Sequence, residues 1–332
     1  MSVRMEILHE TFPLANVFRI SRGAKTSAEV IVVKLTDGDI SGWGEAVPYA
    51  RYGETIDSVT QQLRQINSTA TLVEHHNELS TLLPAGSARN ALDCALWDLK
   101  ARQAGKPVEQ LLSLPKQTGC FTAQTISVDT VEKMEASARK LHNAPLVKVK
   151  LGPHNVVEKM TAIQRICANS QFIVDANEGW SEQLLREVVE PLHALNVVLI
   201  EQPLPAGQDS ALASINSPVP LCADESCHTA DTLAQLTDRY QAINIKLDKT
   251  GGLSEAVKLF HAARSNGMAV MVGCMVGSSL AMAPAYILSE GADYVDLDGP
   301  LLVAQDRANG FKFDNGFMSR PTPFLWGTGK SI

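Results

Sequence analysis

The sequence predicts an α/β fold: a (β/α)7β barrel of the TIM type, with an N-terminal α+β capping domain that the C-terminal tail completes. Two observations carry this. From about residue 118 onward, short apolar strands end near Thr125, Lys150, Asp175, Glu201, Asp224, Lys246, Gly273 and Asp296, at steps of 25, 25, 26, 23, 22, 27 and 23 residues. That spacing is the period of a βα unit, and eight such strands close into a parallel barrel with its reactive residues at the C-terminal strand ends. Before residue 118 the text runs strands first and helices second, as in a small α+β domain. The expected boundaries are 1–115 for the cap, 116–304 for the barrel and 305–332 for a tail returning to the cap.

Each element has a local reason. "AEVIVVKLTDGDISGWGEAVP" (28–48) alternates, turns at Asp37-Gly38 and resumes, which predicts a hairpin. "SARNALDCALWDLKARQAGKP" (87–107) has Ser87 as its expected N-cap, a stripe of Leu92, Ala95, Leu96 and Leu99, and a stop at Gly105 and Pro107. "SEQLLREVVEPLHAL" (181–195) and "LSEAVKLFHAARSNG" (253–267) are amphipathic and fill gaps between barrel strands. Residues 267–289 carry no charge and are long enough to span a bilayer, but their Gly, Ala, Ser and Pro284 make them weakly hydrophobic. A buried strand followed by a buried helix is the expected reading, with Gly277-Ser278-Ser279 as the junction. The tail, "NGFKFDNGFMSRPTPFLWGTG" (309–329), has short strand and turn signals.

Composition narrows the function. The net charge is 29 − 36 = −7, with no basic tail, so nucleic acid and anionic membrane are not expected partners. Six scattered cysteines without a CxxC pair predict reduced, buried thiols and a cytoplasmic location. The first residues show no unbroken apolar run behind Arg4, so no signal peptide is expected.

The strand ends carry the chemistry. The second strand ends Lys148-Val-Lys150, both lysines on one face with Leu146 below them. The third presents Asp175 and Asn177, the fourth Glu201, the fifth Asp224, the sixth Lys246 and the eighth Asp296 and Asp298. Strands two and six of an eight-strand barrel are diametrically opposite, so Lys150 and Lys246 should face each other across the mouth. The three carboxylates between them repel unless neutralised, and a hard divalent cation with oxygen ligands answers that; Mg²⁺ suits three carboxylates with waters and substrate. The eight histidines offer no HxxxH pair for zinc.

Two lysines over an electrophilic metal predict removal of a proton next to a carboxylate on one face, its return on the other, and an enediolate between. A lysine near its intrinsic pKa of ~10.4 is too weakly acidic for this, so Lys148, the metal and burial are expected to lower it. Taken singly, these residues have plainer roles. Lys148 could reach from a strand end to solvent, and Asp175 or Asp224 could cap a helix. Asp296 and Asp298 could be turn residues before Gly299-Pro300, and Gly251-Gly252 reads as a helix entry. Cys274 reads as core packing. Only the joint pattern points to a site.

The set KxK, DAN, EQP, ADES and IKLDKTGG resembles the muconate-lactonizing branch of the enolase superfamily, with "WGE" at 43–45 and "ARNALDCALWDL" at 88–99 extending the likeness into the cap. Within the branch, "DLDGP" at 296–300 looks like the dipeptide epimerases. The resemblance implies Lys150 and Lys246 as the two acid/bases and Lys148 as assistant and holder of the substrate carboxylate. It implies Asp175, Glu201 and Asp224 as ligands of one Mg²⁺ per subunit, with Mn²⁺ the alternative, and Asn177 and Glu225 as outer partners of those ligands. Asp296 and Asp298 would grip the free amine of a dipeptide of the L-Ala-D/L-Glu type, and Thr125 would join the substrate-binding residues. Arg22 is the first choice for the substrate's side-chain carboxylate, with Lys25 and Arg51 as alternatives. Murein peptide recycling is the implied context. Barrels of this branch often oligomerise, so a homo-oligomer is compatible, although nothing in the sequence counts protomers.

Four competing readings remain. A lyase of the same branch, an o-succinylbenzoate synthase or muconate-type cycloisomerase, would use the same lysines and metal on a substrate without an ammonium group; an epimerase for other dipeptides would keep the mechanism. A non-catalytic binding protein would keep the metal site alone, and Schiff-base chemistry at Lys246 would need neither metal nor partner lysine.

Overall fold

The computed structural model describes residues 3–20, 23–66, 76–322 and 324–328. Three strands open the chain as an antiparallel meander: β1 (Arg4–Ile20), β2 (Gly23–Asp37) and β3 (Ile40–Ala46). The β2–β3 hairpin closes with Asp37 opposite Ile40, and Gly38 supplies the positive φ of 59° that the turn needs. Helix α1 (Ile56–Arg64) and the long helix α2 (Ser87–Ala104) pack on this sheet around Ile31, Val33, Leu35, Leu92, Leu96 and Leu99.

Helix α2 lies unusually close to β3. A Cβ on Gly42 would sit 2.7 Å from Leu99 Cα, and one on Gly44 2.7 Å from Ala95 N and closer still to Ala91 O. The two glycines flanking Trp43 are therefore what lets helix backbone touch strand backbone. Ser87 is not the N-cap. It is the first helical residue, and its hydroxyl donates to Val47 O (3.0 Å) and Glu54 Oε2 (2.7 Å). The Glu54 carboxylate accepts the Ser87 N–H at 2.7 Å, so a glutamate from the preceding loop does the capping work. Gly105, at φ 62°, ends the helix as expected.

The barrel follows as eight parallel strands, β5 (Gln124–Ile126), β6 (Leu146–Lys150), β7 (Gln171–Asp175), β8 (Val197–Glu201), β9 (Leu221–Ala223), β10 (Ala242–Ile245), β11 (Ala269–Gly273) and β12 (Tyr294–Asp296), hydrogen-bonded in chain order. The ring is drawn shut where Ala123 N–H donates to Val295 O (2.8 Å) and Leu297 N–H to Thr122 Oγ1 (2.8 Å). Helices α3 (Val131–Lys140), α4 (Val156–Ile166), α5 (Glu182–Ala194), α6 (Leu253–Ser265) and α7 (Ser279–Tyr286) cover its outside. After β8 and β9 the connections are 3₁₀ turns, at Ser210–Ser214 and Ala230–Gln235. Pro203, Pro205, Gly207, Pro218 and Pro220 break any helical run in the first of these. The uncharged stretch at 267–289 becomes β11 and the buried α7, and among the described residues no helix is long and apolar enough to cross a membrane.

The barrel interior is layered. Ala123, Ile173, Leu199, Cys222, Ala242 and Met271, with Leu146 against them, form an apolar plug. One strand step above, on the same inward face, stand Lys148, Asp175, Glu201 and Asn244. Val147 and Val149 point outward into the core shared with the helices. After the barrel, β13 (Phe313–Asp314) and β14 (Phe317–Ser319) pair with β4 (Gly119–Phe121). Trp326 Nε1 then donates to Cys94 O (3.1 Å) and Gly327 N to Asp98 Oδ1 (2.7 Å), both on α2.

Candidate active site

The catalytic end of the barrel gathers four ammonium groups among six carboxylates: Lys148, Lys150, Lys246 and Lys249 among Asp175, Glu201, Asp224, Glu225, Asp296 and Asp298, all buried. Strand alternation puts them there. β6 sends Lys148 and Lys150 inward, β7 and β8 end in Asp175 and Glu201, and Lys246 follows β10 directly. Lys150 and Lys246 sit on the second and sixth barrel strands and line one cavity of about 460 Å³ together with Asp224, Asn177 and Glu225.

The ion pairs define the arrangement. Lys150 Nζ lies 2.5 Å from Asp175 Oδ2. Lys148 Nζ sits among three carboxylates, 2.5 Å from Glu201 Oε2, 2.7 Å from Asp296 Oδ2 and 3.2 Å from Asp175 Oδ2. Lys246 Nζ is 2.6 Å from Asp224 Oδ2 and 3.8 Å from Glu201 Oε1. Burial alone would lower the pKa of Lys148, but the Asp296, Glu201 and Asp175 charges outweigh it and hold the ammonium form far above the usual lysine range. The same contest, with Asp224 and then Glu201 as the winning charges, raises Lys246. The depressed lysine pKa expected from the sequence is therefore not found at Lys246, because carboxylates rather than cations dominate its surroundings. Burial and then the Asp175 charge raise Glu201.

The three expected metal ligands are brought to adjacent strand ends, but each is turned toward a lysine. Among the described residues no three His, Cys, Asp or Glu side chains stand together as a ready metal-binding group. Their chemistry nonetheless fits a hard divalent cation. All are oxygen donors, and Glu201 Oε2 and Asp224 Oδ1 are buried without an aligned hydrogen-bond donor, close to ammonium groups but not in hydrogen-bond geometry with them.

Other expectations fare unevenly. Asn177 and Glu225 line the cavity, and Asn177 N–H donates to Asp175 Oδ1 (2.8 Å). Asp296 and Asp298 reach the catalytic end but do not line the cavity: Asp296 is taken by Lys148, and Asp298 Oδ2 accepts the Thr125 N–H at 2.7 Å. Burial and the Asp296 charge raise the Asp298 pKa. Thr125 meets Asp298 through both its backbone N–H and its side chain. Arg22 lies outside the described residues. Lys25 lines the cavity with its ammonium 5.2 Å from the centre of the Tyr49 ring, and burial lowers its pKa. Arg51 also lines the cavity, but its guanidinium grips Glu178 on the barrel with two 2.8 Å bonds. Tyr52 packs edge-on against His228 at 4.6 Å, so the segment at 49–52 closes the cavity from above.

Sequence reasoning missed three supports. Lys249, fully buried, lies 2.7 Å from Asp224 Oδ1, and its ammonium donates to Asp224 O (2.5 Å) and Asn244 O (2.9 Å). Asn244 Nδ2 donates to Glu201 Oε1 at 2.6 Å. Gln202 Oε1 accepts the N–H groups of Asp224 (2.9 Å) and Ser226 (3.1 Å). A polar residue at an inward strand position, as Asn244 is in "INIKL", was the available signal.

Comparison with known proteins bears on this arrangement. Residues 130–330 match the family described as enolase C-terminal domain-like, and residues 2–113 the mandelate racemase / muconate lactonizing enzyme N-terminal domain. The chain is 52% identical over 300 residues to an N-acetyl-D-glutamate racemase of Pseudoalteromonas sp, covering 90% of this chain and 95% of that one. It is 42% identical over 314 residues to the L-Ala-D/L-Glu epimerase of Escherichia coli (strain K12), covering 94% and 98%. Among solved structures, an enolase family member from Agrobacterium tumefaciens with homology to dipeptide epimerases, with bound sodium and L-Ala-L-Glu, superposes with a TM-score of 0.94 at 43% identity, covering 98% of this chain and all of that one. A dipeptide epimerase from Methylococcus capsulatus complexed with Mg and L-Arg-D-Lys superposes at 0.89 and 28% identity, covering 97% and 98%.

Proposed function

The chain belongs to the mandelate racemase / muconate lactonizing enzyme family of the enolase superfamily and is an isomerase, and from that premise we propose that it epimerises the glutamyl α-carbon of an L-Ala-D/L-Glu dipeptide. The observation that carries this reading is the placement of Lys150 and Lys246 on opposite barrel strands and on the wall of one cavity. Lys150 takes the α-proton from one face of the substrate carbon and Lys246 returns one to the other, and the roles reverse for the opposite epimer. Asp175, Glu201 and Asp224 would hold one Mg²⁺, or Mn²⁺ in its stead. That ion supplies Lewis-acid polarisation of the substrate carboxylate. With Asp224 and Glu201 so engaged, Lys246 would no longer be held by the two charges that keep its proton. Lys148 then faces the substrate carboxylate, and Lys25, on the cavity wall, meets the glutamyl side chain.

Hydrolysed peptidoglycan would supply such a dipeptide, which places the reaction in murein peptide recycling. The unpaired state of all six cysteines suits a reducing cytoplasm. A second reading shares the chemistry. The 52% identity to an N-acetyl-D-glutamate racemase, together with the engagement of Asp296 by Lys148 and of Asp298 by the Thr125 N–H, favours N-acetylglutamate, an N-acylated glutamate without the ammonium group.

Incubation in deuterated buffer with Mg²⁺ separates these readings. L-Ala-L-Glu and L-Ala-D-Glu should both gain deuterium at the glutamyl α-carbon and interconvert, and chelation of the metal should stop it. Exchange of N-acetylglutamate alone would move the substrate to the second reading. Exchange retained from both epimers in Lys150→Ala would overturn the two-base assignment.

A further inference from the structure

Seven of the eight barrel strands end on or beside a polar side chain of the site, and β11 ends on Gly273. The neighbouring strand explains why. Asn244, in β10, points into the barrel and is completely buried. A Cβ built on Gly273 would lie 2.8 Å from Asn244 Nδ2, 3.0 Å from its Cγ and closer still to its Oδ1. Asn244 thus fills the space that any side chain at position 273 would need. Its amide has one hydrogen bond of its own, the 2.6 Å donation from Nδ2 to Glu201 Oε1, and its Oδ1 is buried without a partner. A buried acceptor left unmatched is unfavourable, so an apolar residue would sit here more comfortably unless the amide served another purpose.

We propose that Asn244 is a positioning residue for Glu201, and that Gly273 exists to admit it. The donation to Oε1 sets the rotation of the carboxylate and leaves Oε2 buried without an aligned donor, 2.5 Å from the Lys148 ammonium. Lys249 steadies the same residue from behind through the Asn244 carbonyl at 2.9 Å. Neither Asn244 nor Gly273 lines the cavity. The inference rests on the reading of Glu201 as a ligand of a divalent cation.

The test measures Mn²⁺ binding to the full chain by electron paramagnetic resonance, without substrate, in the parent protein, Asn244→Ala, Gly273→Ala and the double variant. Each single change should weaken Mn²⁺ binding 10- to 100-fold, the usual cost of losing a group that orients a ligand. The double variant should bind no worse than Asn244→Ala, because truncating the amide clears the space the new methyl group needs. Thermal unfolding alongside identifies a variant that fails to fold, and Gly273→Ala keeps the test open if Asn244→Ala does. Unchanged affinity in Gly273→Ala, or losses that add in the double variant, would overturn the proposal. A parent protein that binds no Mn²⁺ would overturn the metal reading itself and this inference with it.

Discussion

Asp248 joins the cap to the barrel, and its titration should be visible in the stability of the whole chain. Its Oδ1 accepts Val47 N–H and Asn90 Nδ2, each at 2.9 Å, from the end of β3 and from α2. Burial pushes its pKa up to about 7, against the help of those two donors and with the Glu54 and Glu45 charges adding to the rise. Relative to an unfolded aspartate near ~3.9, that is a shift of about 3 units, or about 4 kcal/mol. The sign follows from the raised value: the folded state holds the proton more tightly. The contribution is present below pH ~4 and lost as pH climbs through about 7, with about 2.5 kcal/mol of the loss between pH 5 and pH 8. Asn at this position keeps the accepting oxygen and cannot ionise. Asp248→Asn should therefore be stabilised relative to the parent at pH 8 by up to about 4 kcal/mol, with the gap closing toward pH 4. Urea unfolding of both proteins at several pH values measures this. Identical pH dependence in the two would refute the claim that Asp248 is the titrating group.

Two further outcomes follow from the cap. Gly44→Ala drives a methyl group into the α2 backbone and should cost about 1–3 kcal/mol or more, read as a lower urea midpoint with an unchanged slope. Arg51→Ala removes both bonds to Glu178, which is nearly buried beneath it. It should raise KM roughly three- to tenfold while kcat stays within about twofold, because the loss falls on closure over the substrate and not on the proton-transfer groups.

Much of the molecule was legible because its signals are short-range. A βα period survives in the sequence, since each strand–turn–helix unit is specified by its own apolar pattern. The inward facing of Lys148 and Lys150 follows from strand alternation, and the opposition of Lys150 and Lys246 from barrel closure. Ser87 shows where local reasoning fails: a serine at a helix start reads as an N-cap, but Ser87 is the first helical residue and Glu54, 33 residues earlier, does the capping work. No local rule weighs a donor that far away.

Charge balance lay beyond the sequence for the same reason. Three carboxylates at successive strand ends called for a cation, and the sequence could name a metal for it. Only the folded barrel brings Asp296 to Lys148 across 148 residues, and Lys249 beneath Asp224 across 25. The first of those contacts, with Glu201 and Asp175, holds Lys148 far above the usual lysine range. The sequence by itself determined the barrel, the order of its strand ends and the identity of the groups they present, because each is set by residues a few positions apart. The tertiary structure alone decided which ammonium meets which carboxylate, that Asp296 is held by Lys148 and Asp298 by Thr125, and that Gly273 makes room for Asn244. Coulomb energies and packing clashes act over a few ångströms of space, and separation along the chain does not report that distance.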